Sequence, residues 1–318
     1  MPEQQQNVTN NEVVIVHSDS YSNWVFDPSH PTQGRRFVNG YRAIQEKMSN
    51  RFDIGLRTIE PRPATRAELA VVHTGAYISK VIDNCECDEW KGQRKDLAEL
   101  AQIFVGGTLV AVDELLSGRA STAVHLPGAK HHAQADHSSG FCVFGDFAIA
   151  AKVAVAHGLR VAIFDFDAHH GDGTENLCAN DPNILTYSIH ERGLFPGTGL
   201  RNQPSKHVYN KAIEPGDGMD DQIALVQAAS EFARLAIEFG ADIIFIAAGA
   251  DGHFTDPLSH LSYHEGILIK VFGNIFHHSE LAKLPVLIGG AGGYCPDDAT
   301  PSMWAETVEA VASRRVFC

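Results

Sequence analysis

The segment Asp165-Phe166-Asp167-Ala168-His169-His170-Gly171-Asp172-Gly173 follows directly on the apolar run Val161-Ala162-Ile163-Phe164. Carboxylates and neutral imidazoles are acceptable zinc ligands, so this density of acids and histidines points to metallohydrolase chemistry. An unbroken apolar run reads as a strand buried on both faces, and open parallel sheets bind their ligands beyond the carboxyl ends of such strands. Continued strand geometry would put residues 165, 167 and 169 on one face. Helix caps or turns would explain a single aspartate, but not three aspartates and two histidines flanked by glycines.

A catalytic zinc takes about three protein ligands and keeps one position open. Asp167 and His169 supply two. Asp251, in Ala248-Gly249-Ala250-Asp251-Gly252-His253, is the third, because it leaves the end of the equally apolar run from Ile243 to Ala248. Two aspartates and one histidine leave more negative charge at the ion than sets richer in histidine, so a separate base is expected. Lys130-His131-His132-Ala133 offers one, provided carboxylates fix the two imidazoles, and Asp165 and Asp172 are free to do so. The turn Gly289-Gly290-Ala291-Gly292-Gly293-Tyr294 lacks the Lys-Ser/Thr of a phosphate-binding loop. Its glycines let backbone approach a narrow cavity, where the turn could present the Tyr294 hydroxyl to a developing oxyanion.

The elements that must position these groups alternate along the chain. Apolar, β-branched runs over 13–16, 122–126, 160–164, 183–188, 243–248 and 285–289 predict strands, and three- and four-residue apolar spacing predicts helices over 96–116, 145–157 and 221–239. This is the pattern of a parallel sheet with helices on both faces. His131-His132, Asp165, Asp251 and Tyr294 each fall just after a strand, so four strand ends deliver polar groups to one rim.

The 318 residues are 44% hydrophobic and 20% charged, an ordinary globular composition long enough for one large α/β domain. Residues 12–318 are expected to form a single catalytic domain after a polar, Gln/Asn-rich flexible leader over 1–11, which does not read as a secretory signal. No run of 18 apolar residues suits a membrane span, and a cytoplasmic location is expected. With 25 basic and 39 acidic residues the formal charge is −14, which argues against nucleic-acid binding and favours cationic partners. The six cysteines include no Cys-x-x-Cys pair and read as reduced thiols, with Cys85-Glu86-Cys87 in a surface loop. A homo-oligomer stays open.

Taken in order from about residue 13 to 310, the segments Ala64-Thr65-Arg66-Ala67-Glu68-Leu69 with Val72-His73-Thr74, Ala129 to Ala133, Ser139-Gly140-Phe141-Cys142, Asp165 to Gly173, Ser188-Ile189-His190, Gly249-Ala250-Asp251 with Asp256-Pro257-Leu258, and Gly289 to Tyr294 resemble the zinc-dependent histone deacetylase family. That family also contains bacterial deacetylase-like amidohydrolases and acetylpolyamine amidohydrolases. The resemblance implies an arginase/deacetylase-like three-layer α/β/α fold with a mainly parallel central sheet. It implies one zinc per chain at Asp167, His169 and Asp251, with Asp165 orienting His131 and Asp172 orienting His132. His132 would be the general base and later acid, His131 an electrostatic partner, and Tyr294 the group that polarises the acyl carbonyl. Phe141 and Phe195 would wall the acyl-lysine tunnel, with Gly140 at its side and Leu258 near its rim. A structural potassium ion would take Asp165, Ser188 and backbone carbonyls of Asp167, His169 and Ile189, and a second would take carbonyls near Cys178, Asp181 and Ile184. Arg36 resembles the arginine beside the acetate-release cavity.

The chain departs from the family pattern at Lys130, where many members carry Gly or an aromatic residue, and at Gly145-Asp146, which replaces an Asn-containing pair. Segments 17–36 and 83–96 match least, and Asp88 is the candidate there for the acid that holds the substrate backbone. The expected activity is zinc-dependent removal of an acetyl or other short acyl group from an N-acylated amine, either acetyl-lysine in a protein or a small acetylpolyamine. A dinuclear-manganese ureohydrolase of the arginase type is the alternative, and it needs carboxylates for a second ion. A non-enzymatic acyl-ligand sensor on the same fold is a third reading.

Overall fold

The structure, a computed structural model, describes residues 12–315, so the leader expected over 1–11 lies outside the described residues. Eight strands form one sheet: β1 (Glu12–Val16), β2 (Gly55–Ile59), β3 (Thr122–His125), β4 (Val161–Asp165), β5 (Ile184–Glu191), β6 (Val208–Ile213), β7 (Ile243–Ala247) and β8 (Val286–Gly289). Their order is β2-β1-β3-β8-β7-β4-β5-β6, and every neighbouring pair is parallel. β3, β8, β7 and β4 lie side by side at the centre, so the four strands that carry the candidate residues open onto one carboxyl rim.

The central strands are buried along their whole length because both pleat faces are covered. Ala162, Phe164, Ile244, Ile246, Val286 and Ile288 pack on one face, and Val161, Ile163, Ile243, Phe245, Ala247 and Leu287 on the other. The first face is covered by Met219–Phe239, Ile267–Phe276, Arg35–Met48 and Ala299–Ala312. Asp146–Ala156 and the end of Lys95–Leu116 cover the second. This is the three-layer α/β/α arrangement expected from the sequence.

All six expected strands form, and β5 runs on to Glu191. The two strands that apolar runs do not reveal, β2 and β6, are the edges of the sheet. Their residues are mostly half-buried, as in LRT and YNKAI, so they carry no continuous apolar signal. The three expected helices form within two residues of their expected limits. Cys85-Glu86-Cys87 is not simply a surface loop: Cys87 is buried and its thiol lies 3.0 Å from Ser138 Oγ.

Trp304 ties the helical layer to the rim. Its ring stacks on Phe37 with centroids 6.1 Å apart, and its Nε1–H is shared between Ala248 O and Gly290 O, each at 2.9 Å. Those carbonyls sit just past β7 and β8, so one buried indole sets the spacing of two strand ends that lead to Asp251 and Tyr294.

Three buried histidines are held neutral by their partners. His73 Nδ1 donates to Gln134 O (2.9 Å) while its Nε2 accepts from Gly145 N (3.0 Å). His125 lies between Tyr21 OH and Thr108 Oγ1, and His190 between Ser188 Oγ and Gly199 O. Burial pushes His73 down to about 4, and His125 and His190 down to about 3. A folded-state value below the unfolded one means that the unfolded chain binds more protons between the two, so stability rises with pH across that window. The contribution is therefore complete above about 6.5, the unfolded value, and declines as pH falls towards 4; for His73 alone it is roughly 3 kcal/mol. The stability difference between the parent and His73→Asn, read by chemical denaturation between pH 8 and 4.5, should be constant above about pH 7 and shrink steadily below it. A flat profile from pH 7 to 5 would contradict the neutral assignment.

Candidate metal and catalytic site

β4 ends at Asp165, and the chain bends immediately afterwards. The expected continuation of strand geometry to residue 169 is therefore corrected: a turn, not the pleat, places Asp167 and His169. The acids themselves stabilise this turn, since Asp167 N donates to Asp165 Oδ1 (3.1 Å) and His169 N to Asp167 Oδ1 (2.9 Å). Asp251 arrives from the loop after β7. One ligand atom from each of Asp167, His169 and Asp251 lies within 4.8 Å of the others. His169 Nδ1 is 2.8 Å from Asp251 Oδ2 and 3.1 Å from Asp167 Oδ1. The remaining oxygens are fixed by backbone: Asp251 Oδ1 accepts from Ala168 N (2.9 Å) and Asp167 Oδ2 from Gly292 N (2.6 Å).

This approach depends on two glycines. A Cβ at Gly292 would lie 2.3 Å from Asp251 Oδ2 and 2.5 Å from Asp167 Oδ2, and one at Gly249 would lie 2.4 Å from Asp167 Oδ2. Both aspartates are wholly buried and His169 nearly so. Buried carboxylates this close demand a cation. Burial alone would lower His169, but hydrogen bonds to Asp167 and Asp251 outweigh it and raise the imidazole to about 11. Burial and the neighbouring Asp167 charge push Asp251 up, while His131 and His169 overcome the burial of Asp167 and hold it well below the ordinary carboxylate range. Two oxygen donors and one imidazole nitrogen, converging in a dry site, fit a zinc ion. Among the described residues this is the one cluster of three such ligands, so a dinuclear site lacks its second donor set.

His131 and His132 stand beside this cluster, their ring centroids 4.1 Å apart. Asp165 Oδ2 lies 2.8 Å from His131 Nδ1 and Asp172 Oδ1 lies 2.7 Å from His132 Nδ1, the pairing expected from the sequence. A carboxylate partner requires Nδ1 to carry the proton, leaving Nε2 as the basic nitrogen. The two imidazoles then diverge electrostatically. Burial lowers both, but Asp165 and Asp167 reverse the effect at His131 and raise it to about 9, while burial and the His131 charge hold His132 down to about 4. Gln134, which sequence reasoning passed over, donates to the second oxygen of Asp172 at 2.8 Å and is itself held by Asn176 at 3.0 Å.

Gly140, Phe141 and Phe195 lie beside His132 and Tyr294. A Cβ at Gly140 would lie 2.4 Å from the His132 ring and 2.9 Å from Phe195. Phe195 is 48% exposed and stands edge-on to His132 at 5.1 Å. Phe141 faces Tyr294 at 6.0 Å. Leu258 is half-buried, and its backbone joins that of Tyr294 through Asp256, whose two oxygens accept from Leu258 N (3.0 Å) and Tyr294 N (2.7 Å). Asp256 precedes Pro257, and an Asp before Pro is a turn signal in the sequence. Burial, with the charges of Asp251 and Asp167, holds the Tyr294 hydroxyl well above its ordinary value, so it stays a donor at neutral pH. Arg36 is buried beside the Tyr294 ring at 5.5 Å and donates from Nη1 to Gly293 O at 2.7 Å. Asp88 is exposed and paired with Lys80 at 2.7 Å. Its neighbour Glu89 accepts from Phe141 N at 2.9 Å. Asp165 and Ser188 are register partners on β4 and β5, with Ile189 next along β5, so the residues named for potassium are neighbours.

Known proteins resemble the chain along most of its length. The histone deacetylase domain matches residues 30–311. The acetoin utilization protein AcuC of Bacillus subtilis (strain 168) is 33% identical over 313 residues, covering 92% of this chain and 80% of that protein. AcuC of Staphylococcus aureus (strain MRSA252) is 32% identical over 327 residues with the same coverage, 92% and 80%. Among solved structures, the HD domain of HDA15 superposes with a TM-score of 0.78 over 94% of this chain and 90% of that one, at 23% identity, and so shares the fold. No helix among the described residues is long and apolar enough to cross a membrane.

The dependence on glycine is testable without turnover. Gly292→Ala should lower affinity for zinc by about tenfold or more, because its methyl displaces both carboxylates. Competition with a chromogenic chelator reads the affinity, and an unchanged value in a folded variant would show that the carboxylates do not need this approach.

Proposed function

Because the chain belongs to the histone deacetylase family, whose members hydrolyse amide bonds of acetylated substrates, we propose that it is a mononuclear zinc deacylase acting on N-acetylated amines with a slender cationic chain. The observation that carries this reading is the convergence of Asp167, His169 and Asp251 next to two imidazoles with separate carboxylate partners. A zinc ion held by those three residues supplies a Lewis acid, which withdraws electrons from the acyl carbonyl and makes water more acidic.

The chain's own groups then divide the proton work. His132, neutral and oriented by Asp172, takes a proton from water at Nε2 and returns it to the amine nitrogen as the C–N bond breaks. His131, kept cationic by Asp165, offsets negative charge that builds on the substrate. Tyr294 donates its hydroxyl to the carbonyl oxygen as that oxygen becomes anionic. Phe141 and Phe195 suit an extended methylene chain, and Gly140 keeps the gap beside His132 open. The formal charge of −14 favours cationic substrates, acetyl-lysine with basic flanks and acetylpolyamines alike. We also assign structural potassium to Asp165, Ser188 and the carbonyls of Asp167, His169 and Ile189, a reading supported by their adjacency on β4 and β5.

The direct test is zinc-dependent hydrolysis of a fluorogenic acetyl-lysine amide by the purified protein. Tyr294→Phe should lower kcat by about 100-fold or more with KM and zinc content little changed, because its donor is needed chiefly when charge develops. Turnover within a few-fold of the parent would remove Tyr294 from the mechanism, and absence of any zinc-dependent turnover across acetyl-lysine and acetylpolyamine amides would remove the assignment itself.

A further inference from the structure

Each imidazole of the pair His131 and His132 is backed by a carboxylate, and the two carboxylates are held differently. Asp165 Oδ2 faces His131 Nδ1, and the other oxygen of Asp165 accepts from the backbone of Asp167 at 3.1 Å. A backbone donor is there whatever side chains surround it. Asp172 Oδ1 faces His132 Nδ1, but the other oxygen of Asp172 accepts from a side chain, that of Gln134, at 2.8 Å. The Asp172 side chain is also the more open of the two, 16% exposed against 6% for Asp165, so water competes for it.

The Gln134 amide has one workable orientation. Its Nε2 lies 2.8 Å from Asp172 Oδ2 and 3.2 Å from His132 O, and both are acceptors, so the NH2 group must face them. Oε1 then accepts from Asn176 Nδ2 at 3.0 Å. Asn176 stands one turn after Asp172 on the helix Asp172–Cys178, so Gln134 spans a full turn of that helix. The segment carrying the histidines lies directly on the helix start: a Cβ at Gly173 would be 2.3 Å from Ala133 O, and Thr174 N donates to His131 O at 2.9 Å. Gln134 closes a ring on this contact, from the His132 imidazole through the Asp172 carboxylate and the Gln134 amide back to the His132 carbonyl.

We propose that Gln134, anchored by Asn176, is a positioning residue for proton transfer, its amide fixing the Asp172 carboxylate so that Oδ1 stays on His132 Nδ1. A carboxylate with one oxygen unheld rotates and trades its imidazole partner for water. The imidazole then loses the bond that assigns its proton to Nδ1. In the molecules where the proton sits on Nε2 instead, that nitrogen has no lone pair with which to take a proton from water. The effect on rate rests on the deacylase reading; the effect on the imidazole does not.

Both effects are measured on the zinc-loaded protein. NMR of 15N-histidine-labelled protein follows the Nδ1–H of His132, identified by its loss in His132→Gln. Gln134→Met keeps the length of the side chain and removes the donor. Exchange of that proton with water should speed up by about tenfold or more, and kcat should fall by about tenfold with KM and zinc affinity little changed. Gln134→Lys returns a donor to Asp172 and should recover kcat to within a few-fold of the parent. Parental exchange in Gln134→Met overturns the proposal, and so does an equal loss of kcat in the Met and Lys variants. Should Gln134→Met fail to fold, Asn176→Ala, at an exposed position, decides: it must speed the exchange and lower kcat, and parental values for both overturn the proposal. A protein that hydrolyses no acylated amine yet shows the faster exchange in Gln134→Met keeps the positioning role and loses the deacylase reading.

Discussion

Two fully buried carboxylates within hydrogen-bonding distance of one imidazole are the constraint around which this molecule is arranged. Like charges in a dry interior repel strongly, and the arrangement persists only if other groups neutralise or orient every oxygen. The backbone does part of this, through the N–H groups of Ala168, His169 and Gly292. The sheet does the rest by bringing four parallel strand ends to one rim, and Trp304 holds two of those ends at fixed spacing. Gly249 and Gly292 follow from the same demand, since any side chain there would occupy the space of the carboxylate oxygens.

Charge is layered outward from that centre. His131 and His132 are chemically identical side chains whose protonation diverges because Asp165 and Asp167 act on the first, while the second meets burial and the first one's charge. Arg36, Lys130 and Phe141 line the cleft that reaches His131 and Tyr294, and Phe195 stands edge-on to His132.

Much of this was legible in the chain. The central strands announce themselves because burial on both faces removes polar alternation, and the residues after them are acids and imidazoles with few structural reasons to be there. β2 and β6 were not legible, since edge strands keep half-exposed polar residues and lose the apolar run. The pairing of Asp165 with His131 and Asp172 with His132 was anticipated, whereas the mechanism of ligand placement was not: the strand stops at Asp165, and hydrogen bonds within the acidic turn replace the pleat. Asp256, Gln134 and Trp304 act through backbone groups or through another side chain, and such roles leave no pattern in spacing.

The central claim is that one zinc ion is held by two aspartates and a single histidine. X-ray absorption at the zinc edge of the stoichiometrically loaded protein tests it most directly. The account predicts a first coordination sphere of oxygen and nitrogen at about 2.0–2.2 Å containing one imidazole, with no sulfur and no second metal nearby. A sulfur shell near about 2.3 Å, two or more imidazoles, or a metal neighbour at about 3.5–4 Å would contradict it.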